Sequence, residues 1–229
     1  MLKKIIILIF ITFLLSTSYL EEYIYDVEIK GISIIAGNVG TCHLKIEKDI
    51  NNEYEMNIVT QTTNFAKFLY PYVDKIKLNL DKNFSLVSIN QNTTDKKQEL
   101  KIEVNKSNKT IIRNGSILNF YSDTLFTPYS LIHFLRKENI SINKKYNYKI
   151  FNGKKIQDII LEVLKIEKVK SPYGTFECLN VIPILKKGIK NNGVLELWYT
   201  NDEEKIPIKI KLYTKIGTFI MKLKKINKS

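Results

Sequence analysis

The feature that most constrains this chain is a side-chain rhythm of two. Tyr23, Tyr25, Val27 and Ile29 alternate with Ile24, Asp26, Glu28 and Lys30, which describes a β-strand with one buried face. Ile32 to Ile35 restart the pattern after Gly31, and Ala36-Gly37 interrupts it, as at a bulge or a close backbone approach. Cys42, Leu44 and Ile46 continue inward while His43, Lys45 and Glu47 face out, and Asn51-Asn52 turns the chain into Tyr54, Met56 and Ile58. The same grammar runs on through Ile76–Leu80, Phe84–Ile89, Leu100–Val104, Ile111-Ile112, Tyr146–Phe151, Ile156–Val169, Thr175–Ile184, Val194–Thr200, Ile206–Tyr213 and Thr218–Leu223. Between these runs stand turn formers: Asp81-Lys82-Asn83, Asn105 to Asn108, Asn152-Gly153 and, most tellingly, Asn114-Gly115, a pair suited to a two-residue hairpin. About a dozen strands with short turns predict an antiparallel meander.

One segment departs from that rhythm. Thr127-Pro128 is a helix start, with Thr as cap and Pro at the first helical position. Tyr129, Ile132 and Leu135 fall on one side, Leu131 and Phe134 broaden the stripe, and His133, Arg136 and Lys137 are assigned to the polar face. A second helical turn is predicted over Asn64 to Tyr70, stopped by Pro71. The expected architecture is mainly β: a curved antiparallel meander, between half-barrel and barrel, wrapped around one short amphipathic helix.

The first eighteen residues read differently. Lys3 and Lys4 precede the apolar run Ile5 to Leu15, followed by Ser16-Thr17-Ser18, the build of a secretory signal peptide. Cleavage is expected after Ser18, the alternative being a retained N-terminal anchor. Residues 19–229 have no Pro-, Gly- or Ser-rich linker and are expected to form a single domain, exported to the periplasm or cell envelope. Hydrophobic residues at 44% and charged residues at 26% suit a folded chain. The formal charge of +13 falls to +11 without Lys3 and Lys4. Of the 36 basic residues only Arg113 and Arg136 are arginine, the side chain that phosphate readers use for its fork, so nucleic acid is not the expected partner. A solvated lysine surface is the simpler reading, with loose attraction to anionic lipid as its rival.

Catalytic chemistry is hard to find. His43 and His133 belong to no pattern that sets a histidine beside a nucleophile or an orienting carboxylate. Metal-ligand spacing, a glycine-rich phosphate loop and a nucleophile elbow are missing from the sequence, so no metal and no cofactor is expected. Asp202-Glu203-Glu204 reads as a polar hairpin turn. Cys42 and Cys178 allow a disulfide in an exported protein, or two buried thiols. Aromatic residues cluster around the helical segments, and Phe65, Phe68, Tyr70, Phe126, Tyr129 and Phe134 are candidates to line a cavity in the concave face. Ordinary core packing is the alternative.

Five ordered segments resemble a bacterial exported family, domain of unknown function 3108. They are Tyr25 with Gly31-Ile32 and Ala36-Gly37; Phe68-Leu69-Tyr70 with Val73-Asp74; and Tyr129-Ser130-Leu131 through Leu135-Arg136. Pro172-Tyr173-Gly174-Thr175-Phe176 with Cys178, Val181 and Pro183 is the fourth, and Leu197-Trp198-Tyr199-Thr200 with Asp202, Pro207 and Gly217 the fifth. Asn201 and Asn143 depart from the family pattern, standing where an acid and a glycine are usual. The resemblance implies an exported envelope protein with a curved antiparallel sheet, similar in outline to lipoprotein carriers, and lends no catalytic residue. Gly31, Gly37, Gly174, Trp198, Pro207 and Gly217 read as structural. Asp26, Asp74 and Asp202 are the acids to inspect for an envelope hydrolase.

The expected function is thus non-enzymatic, with an apolar or lipid-like ligand held in the concavity. The rival is an envelope component with a full core whose partner is another protein.

Overall fold

The computed structural model describes residues 19–31, 37–94, 98–184, 194–213 and 217–229. The expected signal peptide and the strand restart at Ile32 to Ile35 lie outside them. The described residues form fourteen strands and two short helices. The first half holds β1 (Tyr19–Lys30), β2 (Asn38–Lys48), β3 (Tyr54–Thr62), α1 (Asn64–Leu69), β4 (Val73–Leu80), β5 (Leu86–Thr93), β6 (Gln98–Asn105), β7 (Thr110–Arg113) and β8 (Ser116–Asn119). There follow α2 (Pro128–Phe134), β9 (Lys145–Phe151), β10 (Ile156–Ser171), β11 (Gly174–Pro183), β12 (Val194–Thr200), β13 (Pro207–Tyr213) and β14 (Thr218–Lys228). All pairs between neighbouring strands are antiparallel in one sheet, ordered β8-β7-β6-β5-β4-β3-β2-β1-β14-β13-β12-β11-β10-β9. The expected mainly-β meander around a helix is therefore the fold.

Alternation fixes which face is inside. Tyr23, Tyr25 and Val27 of β1 and Cys42, Leu44 and Ile46 of β2 are all buried, and their partners by register share that face. Bulges at Ile24/Tyr25, Val27/Glu28, Asn79/Leu80, Val163/Lys165 and Trp198/Tyr199 tighten the curl. Asn114 and Gly115 adopt φ of 44° and 85°, the two-residue turn that the pair demands. Asn143, where a glycine is usual, takes φ 63°, a conformation asparagine tolerates.

The sheet does not close on itself. Instead the chain entering α2 bridges its two arms. Leu86 N–H donates to the Leu125 carbonyl at 2.7 Å, and Leu125 N–H donates to Ser85 Oγ at 2.9 Å. On the other side, Phe126 N–H donates to the Lys149 carbonyl at 3.0 Å, and Phe151 N–H donates to Phe126 at 2.7 Å. Thr127 then caps α2 in a reciprocal box with Ser130. The helix continues into the space enclosed by the sheet, with Leu131, Ile132 and Leu135 buried. Tyr199 Oη donates to the Ile132 carbonyl at 2.8 Å, and Tyr25 Oη to the Pro207 carbonyl at 3.1 Å.

Gly31 and Gly217 explain their places in the family pattern. At φ 95° and 150° both sit where side chains are disfavoured, at the ends of β1 and β14. A Cβ on Gly217 would stand 2.6 Å from the Lys30 carbonyl oxygen. Gly217→Ala is expected to cost about 1–3 kcal/mol by pushing these strand ends apart, read as a lower urea midpoint with an unchanged slope.

Candidate functional site

Strand direction gives the barrel two rims. One carries α1, the Asn152–Lys155 turn and the adjoining ends of β1 and β14; the other carries Tyr19, Glu21 and the β12–β13 turn.

At the Glu21 rim a carboxylate faces inward. Glu21 is 2% exposed and holds Arg136, just beyond α2, through a two-pronged pair: Nη1 to Oε2 at 2.5 Å and Nη2 to Oε1 at 3.1 Å. Tyr23 Oη donates to Glu21 at 2.7 Å and Tyr19 Oη at 2.5 Å. Arg136 Nε donates to the Glu204 carbonyl at 3.1 Å, and its guanidinium lies over the Tyr23 ring. Burial alone would raise the Glu21 carboxyl, but the hydrogen bonds and charge of Arg136 and the two hydroxyls outweigh it and hold the group at about 2. His133, 2% exposed, lies 5.2 Å from the Tyr23 ring, and both its ring nitrogens are buried without a hydrogen-bond partner. Burial first, then the positive charge of Arg136, lowers it to about 3, so it is neutral at pH 7. Its expected polar-face position is thus corrected. Because α2 is surrounded by sheet, the side assigned to water meets Tyr23 instead.

At the α1 rim the inner face has two characters. One ladder runs Tyr25–Cys42–Thr60–Asp74–Thr93. Asp74, 8% exposed, accepts from Gln91 Nε2 at 3.0 and 3.1 Å and from Thr93 Oγ1 at 2.8 Å. Tyr129 of α2 comes within electrostatic reach of Cys42 and Asp74. Further along the same face, on β1, β14 and β13, Ile29, Phe219, Met221 and Leu212 face inward yet are only half-buried. The inner face at this end is thus amphipathic, with half-buried apolar side chains on β1, β13 and β14 and a carboxylate on β4.

The model of the family described as Protein of unknown function (DUF3108) matches residues 24–224. The chain belongs to the DUF3108 family. No curated protein matches it. Among solved structures it is similar to the crystal structure of a beta-barrel-like protein of domain of unknown function DUF1849 from Brucella abortus, with a TM-score of 0.65 and 11% identity over 93% of this chain and 99% of that one. At that identity the likeness concerns the fold.

Of the aromatic residues singled out in this DUF3108 chain, Phe126 and Phe134 pack inside with ring centroids 4.7 Å apart, and both meet Tyr148 edge-on. Phe65, Phe68 and Tyr70 do not line the interior. They are 67%, 84% and 49% exposed, because α1 folds against the start of β2 with Ala66 buried. Cys42 and Cys178 are buried free thiols on strands five apart in the sheet, and no disulfide joins them. Burial raises Cys42 to about 11 and Cys178 to about 12, which keeps both protonated at pH 7.

The three inspected acids do not meet. Asp26 pairs with Lys224 at 3.1 Å, Asp74 lies inside, and Asp202 closes a turn with Thr200 and the Lys205 amide. Trp198 is buried, its indole donating to Glu167 at 2.7 Å beneath Lys209 and Lys211. His43 is half-buried on β2 and looks outward. A groove of about 510 Å³ bounded by Glu53, Asp81, Glu103, Lys106 and Ile112 is open and crossed by the Lys106–Asp81 ion pair. Among the described residues, no group of three or more His, Cys, Asp or Glu is placed to hold a metal ion.

Two residues central to this geometry, Glu21 and Gln91, escaped notice in the sequence. Their signal was parity: Glu21 is in phase with Tyr23 and Tyr25, and Gln91 with Ile89, so each polar group sits on a face that alternation buries.

Arg136→Met strands a buried carboxylate and is expected to cost about 3–5 kcal/mol, while adding Glu21→Gln recovers part of that loss in the urea midpoint. Acid has a signed effect as well. The unfolded chain takes up protons near 6.5 at His133 and near 4.5 at Glu21, whereas the folded chain waits until about 3 and about 2. Stability is therefore full above pH 6.5 and falls as pH drops toward 2, by roughly 3 kcal/mol or more from each group. His133→Leu is expected to flatten the decline between pH 6.5 and 4.5 and to leave below pH 4.5 only the part due to Glu21, measured by urea unfolding across pH.

Proposed function

We propose that this protein is an exported, non-enzymatic envelope protein that holds an amphipathic, lipid-like ligand in the α1-rim mouth. The observation that carries the reading is the gradient of burial along the inner face. Around α2 the interior is filled by Tyr23, Tyr25, Tyr199 and Phe126, all at most 1% exposed. Toward the α1 rim the inward apolar residues Ile29, Phe219, Leu212 and Met221 are left half-covered on the same inner face as Asp74. Apolar surface at the mouth of a barrel, beside a few convergent polar groups, suits an acyl chain with a polar head. The expected location comes from the character of residues 1–18: a basic start, an apolar run and a small-residue exit.

Within the concave face, the proposed ligand is placed toward the α1 rim, since the interior around α2 is occupied by buried side chains. The filled interior around α2 favours a second reading, a protein-binding envelope component with no small ligand. One experiment separates the two. The protein is purified from a bacterial envelope, extracted with organic solvent and analysed by lipid mass spectrometry, alongside Leu212→Trp, which enlarges one of the half-covered apolar side chains. Near-stoichiometric lipid on the wild type, reduced several-fold in the variant, is the expected result. Lipid-free wild-type protein would favour the second reading.

A further inference from the structure

We propose that the α1 rim is a docking surface for an anionic lipid bilayer. The first observation is apolar. Phe65, Phe68 and Leu69 of α1 are 67%, 84% and 45% exposed on one six-residue helix. The helix projects from the β3–β4 connection and is held by backbone bonds: Thr63 N–H donates to the Val39 carbonyl at 3.0 Å, and Tyr70 N–H to Ala66 at 2.8 Å. Rings held outward this way give up contact area that burial inside the barrel would have stabilised. Aromatic and leucine side chains gain most of it back at the boundary between headgroups and acyl chains.

The second observation is charge. Lys30, Lys67, Lys75, Lys154 and Lys155 are exposed around the same rim. Of the described acids near it, Glu99 pairs with Lys101 at 3.1 Å, Asp158 with Lys149 at 2.6 Å, Glu28 with Lys222 at 2.7 Å and Glu196 with Lys211 at 3.4 Å, Asp74 lies inside, and Glu162 stands on the same rung of the sheet as Glu28. The five exposed lysines therefore outnumber the acids near this rim that lack a cationic partner, on a chain of net charge +13. Juxtaposed lysines near an anionic surface each add to the attraction, which weakens with salt. Apolar insertion and lysine attraction act in the same direction here. The complementary occupant is a bilayer carrying negative headgroups, and the docking holds whether or not the mouth carries a ligand.

The test uses the full chain with Phe68→Trp as a local reporter, read against the wild type, whose one tryptophan is the buried Trp198. Vesicles of phosphatidylglycerol are expected to shift the added indole emission to shorter wavelength, and spin-labelled lipid to quench it. Phosphatidylcholine vesicles, or high salt, are expected to leave it nearly unchanged. Replacing both Phe65 and Leu69 by Ser in the reporter chain is expected to weaken the titrated binding at least about tenfold with only a small change in the urea midpoint, since Phe65 is largely and Leu69 nearly half in solvent. An indole unmoved by anionic vesicles overturns the proposal, and so does a photocrosslink from position 68 to a protein rather than to lipid. Lipid extraction reports on the mouth independently, so each idea can fail alone.

Discussion

A sheet of fourteen strands that curls without closing must bury one whole face, and α2 with its approach segment helps to do so while pairing with the free edge of β9. Leu125 and Phe126 hydrogen-bond one arm at Ser85-Leu86 and the other at Lys149 and Phe151. The helix then enters the enclosed space, where the Glu21–Arg136 pair holds its far end. Breaking any of these contacts would expose apolar surface over a large part of the sheet, so a single short segment organises residues far apart in sequence.

The same arrangement divides the interior by function. The half around α2 is solid, and its polar groups are committed: Glu21 to Arg136 and two tyrosines, Tyr199 to the helix backbone. His133 is the exception, a neutral ring enclosed without a partner. Such a group contributes packing but no hydrogen bond, and its exclusion of protons makes the helix half acid-sensitive. The other half keeps incompletely covered apolar side chains beside Asp74. The proposed ligand and membrane contacts therefore share one rim, and the Glu21–Arg136 support stands at the opposite one.

Much of this was legible in the sequence because a strand's period is two and a misplaced phase would expose every second apolar residue. The turn pairs, the Thr127-Pro128 start and the single sheet follow from local chemistry alone. What escaped was anything set by the third dimension. The periodicity of α2 distinguishes an apolar stripe from a polar one, but nothing local says that both stripes will be surrounded, which is why His133 was misassigned. Phe65 and Phe68 have the composition of core residues, and only the packing of α1 against β2 turns them outward. Glu21 and Asp74 carried a readable signal, since each shares the parity of a buried face, but their partners Arg136 and Gln91 lie 115 and 17 residues away.

The pairing of β1 with β14 joins the beginning of the domain to its end. Leu20 and Ser229 exchange backbone hydrogen bonds at 3.2 and 3.1 Å, and the Asn227–Glu22 contact spans 205 residues. Such a seam gives the topology a high contact order. A chain emerging from the ribosome would leave the inner edge of β1 bare until the final strand arrives, while β2 and β3 already pair beside it. Covalently linking the termini and opening a surface turn elsewhere would convert this most distant pairing into a local hairpin, speeding assembly without altering the finished barrel.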